Sequence, residues 1–454
     1  MSQTSPLERH AESISAAAKS ISAYCRLTGH PQPDFDSKTK SLAIPPDAPQ
    51  HVHNARHIIT SATTKIQQSV TEPCEYLQKL AIHSQYLSCI QWLCGFQVLA
   101  CIPLEGSVLY SEIAEIAGVP EAQLRSVARM MMTSNFLYEP RLGELAHSTL
   151  SAHFVTDPAL LDSAVFMTDV SMPAAAKLAR ATEIFGATEQ RNQTALNVAF
   201  ETEMPFYKFV AQSPKMEKQF AAYTKNVTTN EETNIKHLLT GFSWSALNEA
   251  TVIDVGAYSY DASIALALAY PKLRFVVQGQ HEILSASTSQ LYQQSESVRT
   301  RITTQGHNVF TPQHVKGPDV YLLRMITYES PAAEACTILH NHLDVLRANP
   351  NARLVLVVSI LPTPGSIDAN EEALLRVRDL TWMQVSNGRE RELSDFMELF
   401  AMAGDREGRL VLKNQTRPPG SAMSILEVVY QSRCGDGPDG RPTNGLIARE
   451  QQAF

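Results

Sequence analysis

Apolar residues recur at helical spacing through the first half of the chain and at strand spacing through much of the second. Residues 8–28 repeat apolar positions every three to four residues, the period of one amphipathic helix. Pro31, Pro33, Pro45, Pro46 and Pro49 follow, and they predict an extended linker over 31–50. From about 55 to 103 the helical pattern returns, dense in large apolar side chains such as Ile82, Tyr86, Leu87, Ile90, Trp92, Leu93, Phe96, Val98 and Leu99. A helix apolar on most faces is predicted to be buried, in a core or against a partner chain. Next, Ser111 is placed to cap a short helix that Gly118 ends, and Pro120 opens a second at its favoured first position. Two short helices followed by Phe136–Pro140 and a turn into Glu144–His147 predict a winged-helix unit. Residues 158–240 read as mainly helical, punctuated by Pro173, Pro205 and Pro214.

From about residue 250, short β-rich runs alternate with helix-length segments. The strands predicted are Thr251–Val255, Arg274–Gln278, Arg301–Gly306, Asp319–Met325, Arg353–Ser359, Arg409–Lys413 and Met423–Gln431. Regular alternation predicts an α/β domain whose mostly parallel sheet is covered on both faces. The last two strands have only the loop around 414–422 between them, so they are expected to pair antiparallel. Seven strands ending in a hairpin form the pattern of a class I methyltransferase-like Rossmann domain. The division expected is an N-terminal helix and linker (1–50), a helical winged-helix-like dimerisation domain (51–175), the Rossmann domain (176–435) and a flexible tail (436–454).

Composition narrows the function. A chain of 454 residues is too long for one core, and 44% hydrophobic with 19% charged residues is ordinary for a globular protein. The net charge of −8 leaves no basic footprint for nucleic acid or anionic membrane, so the winged helix is not expected to bind DNA. The seven cysteines are scattered without a CxxC pair, which predicts reduced thiols in a cytoplasmic protein. No metal-ligand spacing is present, no apolar run approaches the roughly 18 residues of a membrane span, and Met1–Ser22 lacks a signal peptide's apolar segment.

Several segments together resemble the fungal and plant-type O-methyltransferases. They are Gly143-Glu-Leu-Ala-His-Ser-Thr-Leu-Ser, Phe242-Ser-Trp leading into Thr251-Val-Ile-Asp-Val-Gly, Ala269-Tyr-Pro-Lys-Leu-Arg-Phe-Val-Val-Gln, Asp319-Val-Tyr-Leu-Leu-Arg-Met, and Asn387-Gly-Arg-Glu-Arg. The resemblance runs over roughly 60–431. It implies a homodimer built through the N-terminal helices, and an S-adenosylmethionine site at the C-terminal edge of the sheet.

The residues that should build that site are changed. The family reads roughly Asp-Val-Gly-Gly-Gly-x-Gly after the first strand, because the backbone must approach the cofactor closely. This chain reads Asp254-Val255-Gly256-Ala257-Tyr258-Ser259-Tyr260. Tyr260 stands at the last glycine, where its ring is expected to fill cofactor volume or displace the loop. The acid that takes the ribose hydroxyls is Gly279, and losing such a charge-assisted pair costs about 2–3 kcal/mol. The adenine-side acid is Asn308, which keeps a hydrogen-bonding amide. Asp254, Gly256 and Asn308 therefore remain of a degenerate cofactor site. At the reaction centre the family pattern Arg-x-x-x-His becomes Arg324-Met325-Ile326-Thr327-Tyr328, followed by Glu329. A phenol with pKa about 10 donates at neutral pH, and as a general base it is poorly matched. The carboxylate that supports the histidine falls at Val358 or Ser359, whereas Glu390 persists.

Such a cavity without methyl-transfer chemistry fits the O-methyltransferase-like pericyclases of fungal secondary metabolism, which the resemblance brings with it. These dehydrate polyketide–peptide alcohols of the 2-pyridone type and close them by Alder-ene or hetero-Diels–Alder reaction. They need a dry, shaped pocket and one or two donors on a carbonyl. Tyr328, Thr327, Arg324 and Thr233 are the candidate catalytic donors. Asn230, Phe206, Tyr207, Met325, Trp382, Met383 and Asn387 are the candidate substrate contacts. No metal and no required cofactor are expected, with a small-molecule substrate as the partner besides the second copy. The alternatives are a methyltransferase with a divergent cofactor loop, and a non-catalytic methyltransferase-like co-regulator of a pathway.

Overall fold

A computed structural model describes residues 4–33, 43–228, 234–327, 330–419 and 421–433. It divides into two compact units, residues 1–230 with 362–387, and 231–361 with 388–454.

The first unit is helical. α1 (Pro6–Thr28) starts at a capping box in which the Ser5 hydroxyl accepts from the Glu8 amide while the Glu8 carboxylate accepts from the Ser5 amide, and it ends at Gly29 with φ 72°. α2 (Gln50–Val70) packs on it through a small core of Ala17, Ile21, Cys25, Val52 and Ala55. Ile44 and Ala48 are buried in the same core, so the end of the proline-rich stretch folds onto the hairpin instead of running extended. α3 (Pro73–Gly95) buries its second half in this chain's own core. Only Cys89, Ile90 and Leu93 are buried, while Tyr76, Leu77, Leu80 and Ile82 of its first half are exposed.

The winged-helix unit is present with shifted caps. Helix Tyr110–Ala117 is entered from Leu109 with no side-chain cap, so Ser111 lies inside the first turn instead of capping it. Gly118 ends that helix at φ 64°, and Pro120 caps Glu121–Met132 from just outside. β1 (Val108–Leu109), β2 (Leu137–Tyr138) and β3 (Glu144–His147) form a three-stranded sheet in the order β1-β3-β2, one strand more than the hairpin expected.

The second unit is a seven-stranded sheet in the order β6-β5-β4-β7-β8-β10-β9. Its strands are β4 (Thr251–Val255), β5 (Arg274–Gly279), β6 (Ile302–Gly306), β7 (Val320–Arg324), β8 (Arg353–Ser359), β9 (Gly408–Thr416) and β10 (Met423–Ser432). β6 to β8 run parallel, and β10 inserts antiparallel between β8 and β9. All seven predicted strands exist, β4 and β8 with the predicted ends and the others with ends moved by at most three residues. Alternation sends Ile253, Tyr321, Leu323, Leu354 and Leu356 to one face beneath Phe396 and Phe400. Val252, Phe275, Val277, Leu322 and Val357 go to the other face, under Trp244 and Leu266. Strand order reverses between β4 and β7, and in open α/β sheets the ligand crevice lies at the C-terminal ends of such a pair.

Among the described residues no helix is long and apolar enough to cross a membrane, no group of side chains is set to hold a metal, and the six described cysteines are free thiols.

Candidate functional site

The loop after β4 is packed closely against its neighbours. Gly256 holds φ 68°, and a Cβ built there would lie 2.8 Å from Ile326 Cδ1 and from Val309 Cγ1. The next residue, Ala257, donates its amide to the Gln278 carbonyl at 2.8 Å. That places the Ala257 carbonyl oxygen 2.5 Å from where a Cβ at Gly279 would stand. The ribose-acid position thus lacks its carboxylate and also lacks room for any side chain. Leu284 closes the other side, 3.1 Å from the same point.

Tyr260 turns away from the crevice. It is 3% exposed, packs in the core face beside helix Asp261–Ala269, and shares a 2.9 Å hydrogen bond between its hydroxyl and that of Thr304. Asp254 is also drawn inward, accepting from the Ser263 hydroxyl at 2.9 Å. Burial pushes its carboxyl up to about 6, against the lowering by Ser263 and Arg324. The Asn308 carboxamide oxygen accepts from the Phe310 amide at 3.0 Å and is spent on its own turn.

A polar network in place of an acid was invisible in the sequence. Gln278, fully buried, exchanges amide hydrogen bonds with Gln313 at 2.7 and 3.1 Å and donates to Gln305 at 2.9 Å. Gln305 in turn meets His314, whose ring lies 5.4 Å from that of His307. Behind them His342, with its Nδ1 on the Ile338 carbonyl at 2.9 Å, is held neutral: burial pushes its pKa down to about 4. The amides of Gln278, Gln305 and Gln313 thus satisfy one another where a carboxylate was expected nearby.

At the end of β7, Arg324 lines a cavity of about 10 Å³, room for one water, with His237, Val357 and Met423. Met325 adopts φ 56° and donates its amide to the Val357 carbonyl at 2.9 Å, which turns the chain out of the strand. Its side chain packs against the sheet core. Thr327 is buried, and its hydroxyl has no hydrogen-bond partner among the described residues. Tyr328 and Glu329 lie outside the described residues, as do Asn230 and Thr233. The residues on either side are held by one group: the buried Arg391 guanidinium donates to the carbonyls of Thr327 and, at 2.7 Å, Ser330. The Asn387-Gly-Arg-Glu-Arg segment carried the resemblance, but nothing in it marked Arg391 as this clamp.

Among the predicted wall residues of the helical unit, Phe206 and Trp382 line one cavity, with ring centroids 6.4 Å apart at 88°. Tyr207 and Met383 are 39% and 38% exposed and stand outside it. Asn387 ends helix Ala369–Ser386 at φ 53° and donates to the carbonyls of Gln190 and Gln193, a role in holding the fold.

Comparison with known proteins agrees with this architecture. Residues 185–406 match the O-methyltransferase domain family, and residues 4–71 match the N-terminal domain of the trypacidin cluster transcriptional coactivator tpcD. O-methyltransferase VdtC of Byssochlamys spectabilis is 42% identical, the alignment covering 93% of this chain and 98% of VdtC. The dothistromin biosynthesis regulatory protein aflJ of Dothistroma septosporum is 37% identical, over 95% of this chain and 99% of its own. The solved complex of LepI with S-adenosylmethionine superposes with a TM-score of 0.65 at 19% identity, covering 93% of this chain and all of LepI, and shows the shared fold. With relatives this similar along almost the whole length, the chain belongs to the fungal O-methyltransferase family.

Proposed function

We propose that this protein works in fungal secondary metabolism without transferring methyl groups. The observation that carries the reading is the Ala257 carbonyl against Gly279, which leaves no room for the acid that holds a ribose. The tyrosine at the catalytic-histidine position adds to it, since a neutral phenol does not deprotonate a substrate hydroxyl. On this reading the residues present do not fit S-adenosylmethionine. Titrating S-adenosylmethionine into the purified protein is expected to give no heat up to millimolar ligand, and binding in the micromolar range would overturn the reading.

Two roles remain for such a chain. The match of residues 4–71 to a coactivator domain, and the full-length similarity to a protein named as a pathway regulator, favour a co-regulator. The aromatic-lined cavity of the helical unit favours a pericyclase that dehydrates and closes a polyketide–peptide alcohol. Deleting the gene from its host separates them. A co-regulator's loss silences the pathway transcripts, whereas a cyclase's loss leaves transcripts intact and accumulates an unclosed alcohol or altered stereoisomers.

The exposed apolar first half of α3 supports association through the N-terminal helices. Light scattering after size exclusion is expected to give twice the 50.1 kDa chain mass, and replacing Leu77 and Leu80 by Glu to give monomer; a wild-type monomer at 10 μM would overturn the dimer.

A further inference from the structure

The winged-helix end of the first unit carries an open apolar groove. α3 ends at Gly95, and Gln97, at φ 53°, turns the chain into the short helical turn Val98–Cys101. The angle between these two and helix Tyr110–Ala117 encloses about 660 Å³, lined chiefly by Phe96, Ala100, Cys101, Ile116 and Ala117. Phe96 is 47% exposed and Ile116 68%. Trp92, one turn earlier on α3, meets the Phe96 ring at 5.1 Å and fixes that wall. Behind the lining, Val98, Leu99 and Ile113 are packed into the core of the winged-helix unit. The groove is therefore a surface of rigid elements that is accessible as it stands.

Charge tells what covers it. Residues 80–124 hold four glutamates and no lysine or arginine. Glu112, one turn before Ile116 on the same helix, and Glu115 are exposed, and neither forms an ion pair among the described residues. Elsewhere in the winged-helix unit the acids are answered within the chain: Glu121 faces Arg125, Glu139 faces Arg129 and Glu144 faces Arg141. A single exposed isoleucine or carboxylate needs no explanation, but an apolar concavity rimmed by uncompensated acid is complementary to an amphipathic cation. We propose that this groove docks a basic amphipathic helix of another protein, its apolar ridge on Phe96, Ala100 and Ile116 and its lysines or arginines over Glu112 and Glu115. A helix laid between two helices presents its i, i+3, i+4 and i+7 side chains as one ridge, and the flanking positions fall over the rim. Long cationic side chains also cover the apolar edge with their methylenes. A second copy of this chain is a poorer occupant, because a two-fold contact here sets glutamates against glutamates. The apolar half of α3 that supports self-association also lies elsewhere: from Leu80 to Phe96 the chain climbs about 24 Å at 1.5 Å per residue. The inference goes beyond the choice between cyclase and co-regulator and holds for either role; for a co-regulator it gives the partner's chemistry.

The probe is a fluorescein-labelled helical peptide of leucine and lysine, with leucines at i, i+3, i+4 and i+7, titrated by anisotropy against the full chain at physiological salt. It is expected to bind in the micromolar range, and the same peptide with glutamate at every lysine about tenfold more weakly. The whole chain carries a net charge of −8, so attraction to charge alone has to be separated from docking. Ile116→Asp does this: it adds negative charge yet is expected to weaken the lysine peptide about tenfold, because it spoils the apolar floor. Glu112→Lys with Glu115→Lys is expected to weaken it about as much, whereas Glu249→Lys with Glu398→Lys, the same charge change on exposed residues of the other unit, is expected to change it less than twofold. All these positions are exposed, and circular dichroism melts check that each variant folds. No micromolar binding of the lysine peptide, unchanged or tighter binding by Ile116→Asp, or equal losses in the two lysine pairs overturns the proposal. So does a fall in mass of Ile116→Asp in light scattering, which would assign the groove to a second copy. None of these readouts involves S-adenosylmethionine or pathway transcripts, so failure here is distinguishable from failure of the proposed function.

Discussion

A Tyr260→Gly substitution, which restores the last glycine of the methyl-donor loop, is expected to destabilise the protein by about 3–5 kcal/mol and to restore no cofactor binding. The glycine-rich sequence and the ring are not interchangeable here. Tyr260 is 3% exposed and sits in the core face with Leu284, Phe275 and Val277, so its removal leaves a cavity the size of an aromatic side chain. Thr304 also loses its partner. Tyr260→Phe isolates that last contribution and is expected to cost only about 1 kcal/mol. Urea midpoints for the wild type and both variants check the ranking. A Tyr260→Gly protein as stable as wild type would show that the ring is ornamental, and one that bound S-adenosylmethionine would show that the loop had been held shut by this side chain alone. Neither is expected, since the Ala257 carbonyl also stands against Gly279, and Tyr260→Gly leaves both of those residues unchanged.

How far the sequence carried this picture depended on whether the signal was local. The seven strands could be placed because each is a run of alternating or continuous apolar residues bounded by turn residues, a pattern that packing on two covered faces enforces. Caps were less legible: Ser111 has the right chemistry to cap, but the chain enters that helix two residues earlier, pulled by the pairing of Val108 and Leu109 with β3. For the first half of α3, apolar content predicts cover without saying whether this chain or a partner supplies it. The loss of the cofactor acid could be read by position, whereas the carbonyl that fills its space could not, because a clash of 2.5 Å depends on how the loop lands on β5. Arg391, acting across sixty residues of sequence on the carbonyls of Thr327 and Ser330, leaves no local pattern at all. Function was the least legible: the changed residues of the loop and of the histidine position mark what is lost and carry no pattern for what replaces it.

The stability of the wild type is expected to change little between about pH 4 and pH 6 on account of its buried groups, because two of them titrate there with opposite signs. Asp254 has its carboxyl raised from 3.8 to about 6, chiefly by burial. The folded state therefore holds that proton more tightly than the unfolded chain, and the contribution is complete below 3.8 and lost as pH rises through about 6. The size is on the order of 3 kcal/mol. His342 is depressed from 6.5 to about 4, again by burial first. Its neutral form is favoured by the fold, so its contribution is complete above 6.5 and lost as pH falls through about 4, again on the order of 3 kcal/mol. Each variant uncovers the other group. Asp254→Asn keeps an oxygen for the Ser263 hydroxyl and is expected to gain stability relative to wild type as pH rises from 4 to 7. His342→Gln is expected to gain relative to wild type as pH falls over the same span. Because both are read as differences from wild type, the exposed carboxylates cancel. Denaturant midpoints at pH 4, 5, 6 and 7 measure the three profiles, and parallel curves would refute the assignment. A rising gain in Asp254→Asn would also explain what the acid is worth at neutral pH: it is a charge carried in a dry core, facing Arg324, at the strand end where the family's cofactor loop begins, and a fold with no use for it would be more stable with the amide.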